Sequence, residues 1–114
     1  MHRFNVDVAR TFEQQERGLM FVNQLARDRG MIFPFDPPQS AVFWMKNTVI
    51  PLDMVFIAGD GTIKHIHANA TPLSTDSIAS EFPVRAVLEI NGGSARLLGI
   101  KPGDKVKQAI FGNA

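Results

Sequence analysis

The sequence predicts one mainly β domain of 114 residues, a small β-barrel or a strongly bent antiparallel or mixed sheet of about seven short strands with two short helices. Three observations carry this. Apolar and polar residues alternate with a period of two through much of the chain. Clusters of Gly, Pro, Asn and Ser punctuate those stretches at short intervals. Only two segments carry helix start and stop signals.

The first strand is predicted over residues 3–9, where Phe4, Val6 and Val8 alternate with Asn5, Asp7 and Ala9. Thr11 and Gln14 then have the spacing of a capping box, with Glu13 and Glu16 in the first turns. A helix over 12–20 follows, with Phe12, Leu19 and Met20 on its apolar side and Gly18 near its end. Met31, Ile32, Phe33 and Phe35 read as a short buried strand that Pro34 interrupts. Asp36-Pro37-Pro38-Gln39-Ser40 is the clearest loop signal. A central strand is predicted over 41–47, with Phe43, Met45 and Asn47 on one face and Trp44, Lys46 and Thr48 on the other. Pro51 ends it.

Leu52-Asp53 leads into a strand from Met54 to Ala58, and the turn Gly59-Asp60-Gly61 returns the chain as a hairpin through Thr62 to Ala68. Residues 69–83 read as a long irregular excursion, a length usually reserved for functional or mobile loops. Val84 to Ile90 is a strand with Val84, Ala86, Leu88 and Ile90 facing one way and Arg85, Val87 and Glu89 the other. Ser94 caps a short helix through Leu98, and Gly99 closes it. A last strand is expected over 105–111. No repeat or internal boundary divides the chain.

Composition excludes several classes of function. Twelve basic residues face eleven acidic ones, and no Lys/Arg run occurs, so nothing favours capture of nucleic acid or an anionic membrane. Without cysteine there is no disulfide, thiolate metal site or cysteine nucleophile. No apolar run reaches the roughly 18 residues of a transmembrane segment. Met1-His2-Arg3-Phe4 runs straight into alternating sequence, so no signal peptide is expected, although an exported protein deprived of its leader would look the same. No phosphate loop, nucleophile elbow or paired-carboxylate motif is visible, and no cofactor is called for. His65 and His67 share a strand face at a spacing that can bind a metal, but without a third ligand. The methionines and phenylalanines read as core.

Five blocks occur in order: Glu16-Arg17-Gly18-Leu19-Met20, Asp28-Arg29-Gly30-Met31-Ile32-Phe33, Phe43 to Thr48 with Ile50-Pro51-Leu52-Asp53, Val87-Leu88-Glu89 with Gly92-Gly93, and Leu98-Gly99-Ile100-Lys101-Pro102-Gly103-Asp104. Together they resemble the prokaryotic family called domain of unknown function 192, or uncharacterised protein family 0127. The Trp-Met-Lys-Asn-Thr block with Pro-Leu-Asp is the specific part. The resemblance implies a compact, mainly β domain whose relatives often follow an export signal, hence a periplasmic or secreted home. It brings no activity with it.

The candidate site is the stretch around Trp44, the only tryptophan. Lys46, Asn47, Thr48 and Asp53 stand there inside an apolar run, and polar groups among buried neighbours must find partners or face a cavity. Trp44 beside Lys46 offers an aromatic plate and a cation, suited to a sugar ring or an anionic ligand with an apolar body. Asn47 either holds a turn or contacts ligand. Arg17 can clamp a carboxylate, from a ligand or from Glu89. The leading expectation is a cell-envelope domain binding a small molecule, a sugar or a carboxylate, through Arg17, Trp44, Lys46, Asn47, Asp53 and Glu89. The alternatives are a hydrolase or transferase using Lys46 with Asp53 or Glu89, and a protein-interaction module with an apolar patch near Pro34–Pro38. The bland reading is a core tryptophan with a Lys46–Asp53 pair pinning the bend. Oligomeric state has no signature in the sequence.

Overall fold

The computed structural model describes residues 1–114. Its elements, in order, are β1 (Asn5–Val8), α1 (Phe12–Arg17), β2 (Arg29–Phe43), β3 (Leu52–Ile57), β4 (Ile63–Ala70), β5 (Ile78–Asn91) and α2 (Ser94–Leu98), followed by a 3-10 turn at Ala109–Phe111. All five strands form one mixed sheet in the order β1-β2-β5-β3-β4. Only the β1–β2 pair is parallel; the others are antiparallel. The sheet is not closed into a barrel. It is strongly bent, because β2 and β5 are long and their register slips between Pro34 and Gln39 and again between Ser40 and Val42.

The expected short strand, the loop and the start of the central strand are thus corrected to one strand that ends at Phe43. β2 runs through Pro34, Pro37 and Pro38. The prolines are tolerated because they do not interrupt a doubly paired ladder: β1 pairs with β2 only as far as Ile32, and residues 35–38 lie in the slip, without a partner in β5. The expected irregular excursion shrinks likewise, because β5 already begins at Ile78. The last expected strand is absent; a single bridge joins Thr62 to Lys105. There Val106, Ile110 and Phe111 serve packing rather than a ladder. The α1 helix ends at Arg17, three residues short of expectation, at Gly18 with φ +50°.

The sheet buries both faces, which is why all six residues of β3 are inaccessible. On the first face Phe33, Leu52, Met54, Phe56 and Val87 pack under Leu19 and Met45. On the second, Ile32, Val55, Ile57, Ala86, Leu88 and Ile90 pack under Phe4, Val6, Ile100, Val106 and Phe111. The predicted facing of β5 holds from Ala86 onward, with Val87 on the first face and Ala86, Leu88 and Ile90 on the second, but Val84, expected with the latter three, packs on the first face, because the register slip against β2 falls between it and Ala86. No helix is long and apolar enough to cross a membrane.

Candidate functional site

The capping box at the start of α1 forms as its spacing predicts. The Gln14 amide N–H donates to Thr11 Oγ1 at 3.0 Å, and Gln14 Oε1 accepts from the Thr11 amide at 3.0 Å. Gln15 Nε2 donates to the carbonyls of Ala9 and Pro34, both at 3.0 Å, which ties the helix to β2. At Gly18 the chain passes directly over Phe33: a Cβ there would lie 3.4 Å from the ring. A cleft remains between the end of α1 and the first face of the sheet. Its volume is about 380 Å³, within the size range of small-molecule sites.

Glu89 lies in this cleft. It pairs across the sheet with Met31 of β2 and Met54 of β3 and is only 4% exposed. Its carboxyl receives no hydrogen bond and joins no ion pair, and burial pushes its pKa up from 4.5 to about 8. At neutral pH it is therefore chiefly the uncharged acid. Phe33, Phe35, Phe43, Trp44 and Thr48 line the same cleft. The Phe33 and Phe43 rings cross at 82° with centroids 5.1 Å apart, and those of Phe35 and Phe43 at 81° and 6.5 Å. Glu16 and Arg17, both exposed, line the same cleft from α1. Arg17 and Glu89 share it without forming an ion pair.

The Trp44–Thr48 block is a turn rather than the expected strand. β2 ends at Phe43, and the backbone of the block then fastens its neighbours. The Met45 amide donates to the Ser74 carbonyl at 2.9 Å, Phe21 donates to the Asn47 carbonyl at 2.8 Å, and Leu73 to that of Thr48 at 3.0 Å. Asn47 adopts φ +58°, a conformation that asparagine tolerates, and its contribution is to this turn. Trp44 is 46% exposed on the cleft wall. Lys46 is exposed, outside the cleft lining, with Nζ 5.1 Å from the centroid of the indole. Thr48, expected on the Trp44 face of a strand, is turned inward and buried.

Asp53 does different work. Its pairing with Ile90, next to Met54 with Glu89, places Asp53 and Glu89 on opposite faces of the sheet. Asp53 is fully buried. Its Oδ1 accepts from the amides of Asn69 at 2.9 Å and Gly93 at 3.0 Å, and its Oδ2 from that of Ala95 at 2.9 Å. The carboxylate thus caps α2 from another strand, where Ser94 was expected to act. Ser94 instead is the first helical residue, Gly93 holds the cap position, and no side chain local to the helix caps it. Asp53 and Lys46 do not meet, so the bend at Pro51 is pinned by backbone donors rather than by a Lys–Asp pair.

Arg17, Trp44 and Glu89 are therefore brought together, whereas Lys46, Asn47 and Asp53 serve the surroundings. The sequence reading missed Glu16 and the three phenylalanines as lining. Glu16, Phe33 and Phe43 lie in the motif blocks beside residues that were singled out, which is the signal that could have found them. His65 stacks on Phe56, with ring centroids 5.9 Å apart. No group of three His, Cys, Asp or Glu side chains is placed to hold a metal ion.

Comparison with known proteins adds the following. Two solved structures are similar to the chain. One is a protein described as a candidate transcription regulator from Sinorhizobium meliloti 1021, 48% identical, with a TM-score of 0.91 over 94% of this chain and 83% of its own. The other is a protein of unknown function from Novosphingobium aromaticivorans DSM 12444, 50% identical, with a TM-score of 0.91 over 94% of this chain and 76% of its own. No curated protein matches. The family model DUF192, described as Uncharacterized ACR, matches residues 1–108. The chain belongs to the DUF192 family.

Proposed function

We propose that the protein is a small-molecule-binding domain of the cell envelope, and that its ligand, a small carboxylate or a sugar, occupies the cleft between α1 and the sheet. One observation carries this reading: Glu89 is a largely buried residue whose carboxyl has no protein partner and whose oxygens are not sealed away but open onto a cleft that aromatic rings also line. A carboxyl drawn into an apolar site without a partner from its own chain is costly, and such a group facing a cleft is suited to meet a ligand. The apolar body of the ligand lies on Trp44 and Phe43. A hydroxyl or carbonyl of the ligand meets Glu89. A carboxylate, where the ligand has one, meets the free guanidinium of Arg17.

Phe12 and Val42 are exposed and line this same cleft with Trp44, so the apolar surface they present belongs to a concave site rather than to a separate flat face. A catalytic role for Lys46 has less support. Its ammonium is exposed beside the indole, and the oxygens of Asp53 are taken up by backbone amides. The envelope assignment rests on the export habit that the family resemblance implies. The test is a thermal-shift and NMR titration with sugars and small carboxylates. Binding that perturbs the Trp44 indole resonance and is lost in Trp44→Ala supports the reading. A panel in which nothing perturbs that resonance would refute it.

A further inference from the structure

We infer that the ligand of this cleft carries an organic ammonium group, which sits against Glu89 between the aromatic rings, and that its acidic end faces Arg17: the site is built for a small zwitterion. This rests on the small-molecule reading of the same cleft and narrows it to one ligand class.

The argument starts from the rings. Phe33, Phe43 and Phe35 stand at right angles in sequence, 82° and 81°, and Trp44 adds an indole to the same cleft. The three phenylalanines pack edge to face on one another, and with Trp44 they give the cleft a largely aromatic lining. The negative face of a ring attracts a cation, and quaternary ammonium groups are the ligands that aromatic enclosures recognise best. The second observation is the carboxyl set among those rings. Glu89 is 4% exposed and lacks any protein partner. A neutral ligand leaves it an uncharged acid, whereas a cation offsets the cost of ionising it in place. The third is the division of charge. The acidic group is deep, and the cationic group, Arg17, is exposed and unpaired at the edge of the same cleft. A ligand with an ammonium at one end and a carboxylate at the other matches both.

The charged and titratable groups around Glu89 are few. From α1 they are Glu16 and Arg17. Met31 on β2, Met54 on β3 and Thr48 in the turn are uncharged. On β5, Arg85 shares the face but donates to the Phe35 carbonyl at 3.2 Å. On β4, His67 lies beyond Met54 in the same cross-strand row, two strands away. Lys46 is outside the cleft lining.

The consequence is a proton linkage whose sign identifies the ligand. With its pKa at about 8, Glu89 is about nine-tenths protonated at pH 7. A cation selects the carboxylate, so its binding releases close to one proton. Its affinity rises about tenfold per pH unit between pH 5.5 and 7.5 and levels off above about pH 8. A ligand that uses the neutral acid shows the opposite trend.

The experiment titrates the intact protein by calorimetry and NMR with glycine betaine and with 3,3-dimethylbutanoate, which has the same shape and carboxylate but carbon in place of the quaternary nitrogen. At pH 8.5 betaine is expected to bind at least about tenfold tighter. Its affinity should climb with pH, and the heat should depend on buffer ionisation enthalpy as proton release requires. Glu89→Gln should weaken betaine and abolish the pH dependence; that variant keeps the side-chain shape, and its fold is checked by its NMR spectrum. Equal or tighter binding of 3,3-dimethylbutanoate at pH 8.5, or a betaine affinity that is flat or falls with pH, overturns the inference. A sugar or simple carboxylate that binds where betaine does not overturns the inference and leaves the small-molecule reading standing. Silence from every compound brings down both.

Discussion

Glu89→Gln should make the protein more stable at neutral pH, and the gain should itself depend on pH. The carboxyl of Glu89 titrates at its ordinary value of 4.5 in the unfolded chain and at about 8 when buried between Met31 and Met54. Between those values the folded state holds a proton that the unfolded state has released. Stability that depends on the neutral acid is therefore fully present below pH 4.5 and is lost as pH rises through about 8. At about 1.4 kcal/mol per unit, the whole interval corresponds to about 5 kcal/mol, of which about 3 kcal/mol is already lost at pH 7. Glutamine has the same shape and no proton to lose. The variant and the parent should be alike at pH 4.5. They should differ by about 3 kcal/mol at pH 7, or about 12 °C in melting temperature for a domain of this size, and by about 5 kcal/mol at pH 9. The assay is urea unfolding of both proteins at half-unit pH steps. Taking the difference removes the titrations they share. One of these is Asp60, held near 2 chiefly by the Thr62 amide, then by the Thr62 side chain and Lys105, whose contribution is present above its ordinary 3.8 and is lost only as pH falls through about 2. Parallel stability curves from pH 5 to 9 would refute the reasoning, because they would mean that Glu89 ionises without cost where it lies.

Two further perturbations test the frame around the cleft. Asp53→Ala strands the amides of Asn69, Gly93 and Ala95, the last of them buried; it should cost about 3 kcal/mol and speed hydrogen exchange at Gly93 and Ala95, and a loss under about 1 kcal/mol would contradict the capping role. Gly30→Ala places a Cβ 2.5 Å from the Glu89 carbonyl oxygen and 3.0 Å from Ile90 Cγ2, so it should lower stability by about 2–3 kcal/mol and shift the NMR signals of the β2–β5 pair; a urea midpoint equal to the parent's would show that the two strands separate more easily than their packing implies.

What could be read from the sequence follows from where each signal resides. The β3–β4 hairpin and the facing of β5 are local facts: Gly59-Asp60-Gly61 turns the chain, and Arg85, Val87 and Glu89 alternate with apolar neighbours whatever else the molecule does. β2 escaped because proline is judged against a strand by the amide it lacks, and that penalty vanishes where no partner waits, a matter settled by the distant ends of β1 and β5. The site divides in the same way. Glu89 was visible as an acid among apolar residues. Its solitude was not, since it depends on Arg17 standing at the cleft without closing onto it. Asp53 is the harder case. It was conspicuous for the same reason as Glu89, yet the two carboxyls have opposite fates. Asp53 is satisfied by three main-chain amides, and an amide is a donor that nearly every residue supplies. Its partners therefore leave no trace in the letters at 69, 93 and 95. Only the register that sets Leu52 against Asn91 and Asp53 against Ile90 brings them within reach. A buried acid answered by side chains can be foreseen from its partners; one answered by backbone, or by a ligand, looks the same until the fold is known, and the fold separates the two by whether the carboxyl is already satisfied.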